Sequence, residues 1–282
     1  DWNEISEVDG ELDTEQQRAL GTLWCELLKL ERVGSNNHFF ALGGDSIMAL
    51  QLVGKLRQIG YRLTPKQVFD YPKLEQMAEQ LEEASFVAAE QAKLEGETKL
   101  LPIQSRFIER YELSCCNQYI QFEWALPVDT GCLSAALNKL SQQHDALRLR
   151  FSLQGHAIYS DDPCFEITEF DQEIDAEHVQ HAIDLTNGVS VSVGLTSINE
   201  SHSSEVLISI HHLIVDALSW PVIIEDLATL YEAELSGKSV ALTSKTHHQG
   251  NWLDALKSVN ITELQRTYWQ KQTCAPLYPN KR

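Results

Sequence analysis

The sequence predicts two domains, a small all-α bundle of four helices followed by an α/β domain. At 282 residues, 43% of them apolar, the chain has enough material for two hydrophobic cores. Up to about residue 84 the apolar residues recur at helical spacing. From about residue 99, segments with the two-residue alternation of a strand are interspersed with segments of helical periodicity. Residues 85–98, which lie between these two patterns, are rich in Ala, Glu and Lys and have no helix caps, so we expect an interdomain linker there.

The first domain is expected over residues 14–84, after an acidic and aperiodic incoming linker over residues 1–13. Thr14 with Gln17, and Thr64 with Gln67, each fit a capping box that opens a helix. The first helix is expected from the Thr14 cap to about Leu30, and the second from Ser46 to about Gln58, where Gly60 ends it. A short third helix is expected to begin at Pro65, and the last helix at Pro72. We therefore expect three longer helices and one short one, packed as a small bundle.

The second domain is expected over residues 99–282, where strand and helix patterns alternate. Its expected strands are Gln118–Trp124, Leu147–Phe151, Val189–Val193 and Glu205–His211. Helices are expected over Cys132–Gln143 and Ser219–Leu235, because their apolar residues share one face at a period near 3.6. This order of elements predicts an α/β domain.

The charge of the chain excludes several classes of partner. A net charge of −19 argues against binding to nucleic acid and against binding to anionic membranes. No apolar run approaches the ~18 residues of a membrane span, and no segment has the pattern of a signal peptide. We therefore expect a cytoplasmic protein, and the first residue, Asp1 rather than Met, suggests a piece of something longer.

The cysteines and histidines do not form a metal-binding or disulfide pattern. The six cysteines include no CxxC, and the adjacent pair Cys115-Cys116 is a poor candidate for a disulfide in ordinary geometry, so reduced thiols are expected. The histidine pair His247-His248 lacks the usual spacing of metal ligands, and no thiolates cluster with it. The sequence predicts no metal site.

The stretch Leu42–Ile47 contains a serine that is placed for a covalent attachment. Gly43 and Gly44 allow a tight turn, and Asp45 is a good N-cap, so Ser46 is expected in the first helical turn with its hydroxyl exposed. A helix N-terminus offers partial positive charge and free N–H groups, which tolerate a phosphodiester. By spacing alone, the same pattern also fits a capped helix without a function.

Residues 39–47, Phe-Phe-Ala-Leu-Gly-Gly-Asp-Ser-Ile, closely resemble the phosphopantetheine site of the peptidyl carrier domains of non-ribosomal peptide synthetases. The resemblance continues through Phe69–Pro72 to Leu81. It implies that Ser46, next to Asp45 and Gly44, carries 4′-phosphopantetheine, whose thiol holds an aminoacyl or peptidyl group as a thioester. It also implies a phosphopantetheinyl transferase, an upstream adenylation domain and a downstream condensation domain as partners.

Two residues of this motif resemble one subgroup of carriers more than another. Carriers that feed a condensation domain usually have His and Leu at the positions of Asp45 and Ile47. Asp and Ile are typical of carriers that precede an epimerization domain. The resemblance therefore implies an epimerization domain in the second half of the chain.

A second candidate site lies where an expected strand ends and an expected helix begins, at His211-His212-Leu-Ile-Val-Asp216. Catalytic groups often lie at such strand ends, and a histidine there can accept and return a proton near neutral pH. Asp216 can turn back toward the strand end and fix the geometry through a salt bridge. We expect His211 to be a core residue, and by spacing alone His212 fits a structural histidine as well as a catalytic one.

The pattern His211-His212-x-x-x-Asp216 resembles the signature of the condensation-domain superfamily, which is shared with chloramphenicol acetyltransferase. Ser219-Trp220 is closer to the epimerization domains of that superfamily. The resemblance runs from about Leu100 to Trp269 and implies the N-terminal, chloramphenicol-acetyltransferase-like α/β lobe of such a domain. It implies that His212 is catalytic, with His211 and Asp216 in support.

Two further segments carry the same resemblance, and three features depart from it. Residues 102–107 resemble the opening motif of epimerization domains, and residues 144–151 resemble another segment of the superfamily. Arg106 stands where the opening motif usually has Trp, and Ala217 where the histidine motif usually has Gly. The second lobe of these domains, which contains a catalytic glutamate, has no counterpart in the sequence, so this chain alone is expected to be catalytically incomplete.

Three functions remain open from the sequence. The first is a carrier that presents its thioester to an epimerization domain, which inverts the α-carbon from L to D. The second is a carrier with a condensation domain that forms peptide bonds, with His212 positioning an amine. The third is a carrier with a non-catalytic half-domain that docks or is a remnant.

Overall fold

The computed structural model describes residues 9–84, 89–152, 154–198 and 203–273. It divides into two compact units, of which the first consists of residues 1–88 together with residues 217–222, and the second of residues 89–216 and 223–282. Among the described residues, no helix combines the length and the hydropathy that are needed to cross a membrane.

The first unit contains four helices and a two-stranded ladder. The helices are α1 (Glu15–Leu28), α2 (Ser46–Gln58), α3 (Pro65–Asp70) and α4 (Leu74–Ala78), and the strands β1 (Tyr61–Arg62) and β2 (Glu82–Glu83) pair antiparallel. Both expected capping boxes, at Thr14 and at Thr64, are present. The core is centred on Trp24, whose ring meets the buried ring of Phe39 edge-on at a centroid distance of 5.1 Å.

The last helix of this unit begins later than the sequence predicted. Pro72 and Lys73 lie before the helix, and Lys73 is extended, because the loop before α2 pairs with these two residues. The Phe39 N–H donates to the Pro72 carbonyl at 2.8 Å, and His38 forms an isolated bridge with Lys73. The bundle therefore has two long and two short helices, not three long helices and one short helix.

The second unit is an α/β fold with two sheets. The four-stranded sheet has the order β4-β9-β8-β7, with all neighbours antiparallel except β7 and β8, and the three-stranded sheet has the order β3-β6-β5. The strands are β3 (Gly96–Lys99), β4 (Asn117–Trp124), β5 (Leu149–Phe151), β6 (His156–Tyr159), β7 (Phe165–Phe170), β8 (Val191–Ile198) and β9 (Ser203–His211). The helices are α5 (Pro102–Ile108), α6 (Thr130–Gln143), α7 (Ala176–His181), α8 (Ser219–Ser236), α9 (Gln249–Ser258) and α10 (Glu263–Thr273).

Several expected boundaries in this unit differ from the structure. Asp145–Arg148 form a 3-10 helix, so the strand expected from Leu147 begins only at Leu149. The 3-10 turn brings the side chains at i and i+3 together, and Arg148 there forms a buried ion pair with Asp145. The strand expected from Val189 begins at Val191. The expected linker contains β3 at its end, since Gly96 pairs with Tyr159 of β6.

Candidate functional site

The N-terminus of α2 presents Ser46 to solvent. Gly43 has a φ of +98°, a conformation that favours glycine, and it turns the chain into the helix. Asp45 is the N-cap, and its Oδ1 accepts a hydrogen bond from the Met48 N–H at 2.8 Å. Ser46 is the first helical residue and is exposed, and the neighbouring Ile47 side chain is 44% exposed. The local geometry is the one that the sequence predicted.

These residues fit a covalently attached phosphopantetheine. The hydroxyl that would form the phosphodiester is exposed, and it lies on the first residue of a 13-residue helix, whose N-terminal dipole favours a negative charge. Gly44 brings the turn close to the core, since its N–H donates to the Phe39 carbonyl at 3.0 Å. The attachment of phosphopantetheine at Ser46, next to Asp45 and Gly44, remains a prediction.

Gly44→Ala is expected to destabilise the first unit by about 1–3 kcal/mol, the range for overpacking. A Cβ at this position would lie 2.5 Å from the Phe39 ring and 2.8 Å from the Phe39 carbonyl oxygen, and Phe39 is fully buried, so the backbone would have to move. The measurement is hydrogen exchange of the amides in α1 and α2, because this reports on the first unit alone.

Gly54→Ala in the middle of α2 is the matched control for that substitution. A Cβ there meets no atom within 4 Å, and alanine favours a helix over glycine by up to about 1 kcal/mol. The control is therefore expected to slow exchange slightly. Equal exchange rates in the two variants would contradict the packing role of Gly44.

His211 ends strand β9 and is buried in the second unit. Its Nδ1 accepts a hydrogen bond from the Leu213 N–H at 3.0 Å, and its ring meets Phe107 edge-on at 5.6 Å. Burial lowers the pKa of His211 to about 4, and the nearby backbone of Cys115 and Leu113 opposes this shift only in part. A histidine of this kind is neutral at pH 7 and acts as a core residue, which is the role that we expected for it.

His212 follows the strand and points to solvent. Its backbone N–H donates to the Cys116 carbonyl at 3.0 Å, and its ring Nδ1 lies 2.8 Å from the Val215 carbonyl oxygen. A carbonyl can only accept, so Nδ1 carries the proton, and in the neutral ring Nε2 carries the lone pair. The Gln118 Nε2 lies 3.2 Å from it. The ring is therefore held in the tautomer that a general base requires.

Asp216 is exposed and directly follows Val215. Its expected salt bridge stays a prediction. The structure thus places His211, His212 and Asp216 on one strand end and its following turn, in the second unit, and Ser46 with Asp45 and Gly44 in the first unit.

The sequence did not indicate the residues that hold His212. Gln118 was predicted only as the start of a strand, and Val215 only as part of a motif. Gln118 reaches His212 because β4 pairs with β9 in a register that sets Gln118 opposite Ile210. Pairing between strands so far apart in the chain leaves no local signal. Within the described ranges, no group of three His, Cys, Asp or Glu side chains is arranged to hold a metal ion.

Comparison with protein families gives one match in each of two consecutive parts of the chain. A model described as a phosphopantetheine attachment site matches residues 18–81, and a model described as a condensation domain matches residues 94–279, which is more than half of the chain. The chain belongs to the condensation-domain family. Residues 18–81 belong to a phosphopantetheine attachment domain, for which 4′-phosphopantetheine is the covalent cofactor.

The curated relatives of this condensation-domain protein are peptide synthetases. Linear gramicidin synthase subunits B and D of Brevibacillus parabrevis are 32% and 33% identical over 276 and 288 residues, covering 90% and 93% of this chain. Gramicidin S synthase 1 of Brevibacillus brevis is 30% identical over 275 residues. The chain spans only 5%, 6% and 25% of these proteins, respectively.

Solved structures confirm the fold class. The epimerization domain from the third module of tyrocidine synthetase B matches 68% of this chain and 48% of its own, with 27% identity and a TM-score of 0.58. The X-domain from teicoplanin biosynthesis, at 20% identity and a TM-score of 0.51, covers 70% of this chain and 48% of its own and shows the shared fold. The expected architecture, a carrier bundle followed by an α/β lobe of the chloramphenicol-acetyltransferase type, is therefore correct.

Proposed function

We propose that the chain presents an aminoacyl or peptidyl group on Ser46 for inversion of its α-carbon, and that His212 moves the α-proton. The observation that carries this proposal is the fixed ring of His212, whose Nδ1 is held by the Val215 carbonyl while Nε2 can take a proton. Asp45 and Ile47 in the carrier support epimerization over condensation, and so does the similarity to the tyrocidine synthetase epimerization domain.

The chemistry divides between the attached group and the residues of this chain. Bound phosphopantetheine supplies a thiol that holds the acyl group as a thioester, which acidifies the α-hydrogen. His212 Nε2 accepts that proton, and the Val215 carbonyl stabilises the resulting imidazolium through the Nδ1–H bond. Inversion also needs a second proton-handling group on the opposite face, and the family resemblance assigns it to a glutamate of the second lobe.

Peptide-bond formation is the second candidate, because the family of the second half is the condensation domain itself. There, the same Nε2 lone pair would accept a proton from the attacking amine. Arg106 and Ala217, which depart from the usual motifs, would instead suit a half-domain that only docks. In each case the partners that we propose are a phosphopantetheinyl transferase, an adenylation domain upstream and a condensation domain downstream.

Solvent exchange separates these functions. The protein, loaded with an aminoacyl-phosphopantetheine, is placed in deuterated water, and the released amino acid is analysed for mass and chirality. We expect deuterium at the α-carbon, because His212 can return a solvent-derived proton to the same face even where inversion needs the second group. His212→Ala is expected to slow this exchange by about 10²–10⁴-fold, the range for loss of a general base.

The matched control is His181→Ala, an exposed histidine at the end of α7 whose Nδ1 bonds the Glu177 carbonyl within its own helix. That variant is expected to exchange at the original rate. If His212-dependent peptide formation with an aminoacyl acceptor occurs and no α-deuterium appears, condensation is the function. If neither reaction depends on His212, this residue has no catalytic role.

A further inference from the structure

We infer that Gln118 is a positioning residue for His212, and that its carboxamide turns over as the ring gains a proton. In this scheme the amide N–H₂ donates to Nε2 of the neutral ring, and the amide oxygen accepts from Nε2–H of the protonated ring. The inference rests on the proposed role of His212, but its first test is independent of any reaction.

Strand β4 holds His212 through the backbone as well as through this side chain. Asn117 pairs with His211 in the antiparallel ladder, and the His212 N–H then extends the pairing to the Cys116 carbonyl at 3.0 Å. Gln118, two residues further along β4, has its Nε2 3.2 Å from the ring Nε2. The end of β4 therefore fixes both the backbone and the ring of His212.

Gln118 occupies an unusual place in its strand. The side chains of Ile120, Phe122 and Trp124 are half-buried, whereas Tyr119 and Gln121 on the other side of the strand are exposed. Gln118 belongs to the half-buried row by its position. It is the polar member of an otherwise apolar row, and it stands where that row reaches the candidate histidine.

The hydrogen-bond partners restrict which side chain can serve at position 118. Because Val215 only accepts, Nδ1 stays protonated, so Nε2 alternates between acceptor and donor as the ring gains or loses its second proton. A carboxamide matches both states by a half rotation. A carboxylate of the same shape matches only the protonated ring, and a thioether of similar length cannot donate to the neutral ring and accepts only weakly from the protonated one.

The other ionisable groups near the ring do not take over this function. His211 lies on the same strand end, but its pKa of about 4 keeps it neutral at pH 7, and its Nδ1 already accepts from the Leu213 N–H. Asp216, on the turn that follows, is exposed, and a carboxylate cannot donate to the lone pair of the neutral ring. Donation to Nε2 in the neutral state therefore falls to the amide of Gln118.

Three variants of the complete chain test the inference by long-range ¹H–¹⁵N NMR of the His212 ring. In Gln118→Met we expect the ¹⁵N resonance of His212 Nε2 to move toward that of an unprotonated ring nitrogen that accepts no hydrogen bond. In Gln118→Glu we expect a larger share of the rings to carry protons on both nitrogens than in the original protein, because a neighbouring carboxylate favours the cationic ring. Gln121→Met is the matched control, because Gln121 is on the exposed side of β4 and bonds Glu205, and its ring signals should equal those of the original protein.

The exchange rate at the α-carbon gives a second reading. In the neutral ring the Gln118 N–H occupies the only lone pair of Nε2, so this hydrogen bond has to break before the α-proton can be accepted. Its loss, worth about 0.5–1.5 kcal/mol, should therefore speed exchange by up to about tenfold in Gln118→Met. Gln118→Glu should slow exchange, because more of its rings are already protonated. Ring signals that do not change in either variant would overturn the inference, as would unchanged exchange in variants whose ring signals do change.

The two proposals can fail separately. If the ring responds as expected and the original protein shows no exchange, the positioning of His212 by Gln118 stands and the proposed epimerization fails. If the original protein exchanges, and neither variant alters the ring, epimerization stands and the positioning fails. Gln118→Met and Gln118→Glu both keep the length of the side chain. If one of them fails to fold, the ring signals of the other still test the inference.

Discussion

Ser46→Ala is expected to abolish attachment of phosphopantetheine completely. The hydroxyl of Ser46 is the nucleophile that would form the phosphodiester, and alanine has no atom to replace it. The fold should survive, because alanine is the best helix former and Ser46 is the exposed first residue of α2, where Asp45 remains to cap the helix. The measurement is the intact mass of the protein after incubation with coenzyme A and a phosphopantetheinyl transferase.

Ser35→Ala is the control for this prediction, since Ser35 lies in the same unit but in the loop before α2. That variant should gain the full mass of one phosphopantetheine group. A mass gain in Ser46→Ala would show that the group is attached elsewhere, and the prediction for the whole Leu42–Ile47 motif would then be wrong.

Asp145→Ala is expected to destabilise the second unit by about 3–5 kcal/mol, the cost of breaking a buried ion pair. Asp145 is 9% exposed and pairs with Arg148, which is 3% exposed, and with the Lys245 ammonium at 2.8 Å. It also accepts the Leu94 N–H at 3.1 Å. Its removal leaves two cations and one N–H without their shared acceptor, in a place from which water is largely excluded.

The control is Asp162→Ala, which removes the partner of Arg150 at 2.7 Å in the same unit. The Asp162 side chain is largely exposed, so this pair is worth about 0–1 kcal/mol. Hydrogen exchange of the amides in β5 and β6 measures both variants on one unit, without assuming that the whole chain unfolds together. If Asp145→Ala lowers the free energy of opening of β5 and β6 by less than about 1 kcal/mol, the buried network contributes no more to stability than a surface ion pair.

Some features of the candidate site depend on neighbouring residues in the sequence, and others depend on residues that are distant in the sequence. Ser46 could be predicted because glycines, an N-cap and a helix start are all set by neighbours in the sequence. His212 could be predicted as a strand-end histidine for the same reason. The tautomer of its ring could not be predicted, because it depends on the Val215 carbonyl and on Gln118, which is 94 residues earlier in the chain.

The sequence by itself determined the class of fold, the capped helix starts and the alternation of β4, since these depend on residues within a few positions of one another. The tertiary structure decided where pairing between distant segments overrides a local pattern. Pro72 lies outside the last helix of the first unit because its carbonyl pairs with Phe39, and Leu147 is in a 3-10 turn because Asp145 and Arg148 are buried together. The ion pair of Asp145 with Lys245 joins residues 100 positions apart, and only the packed chain brings such charges together.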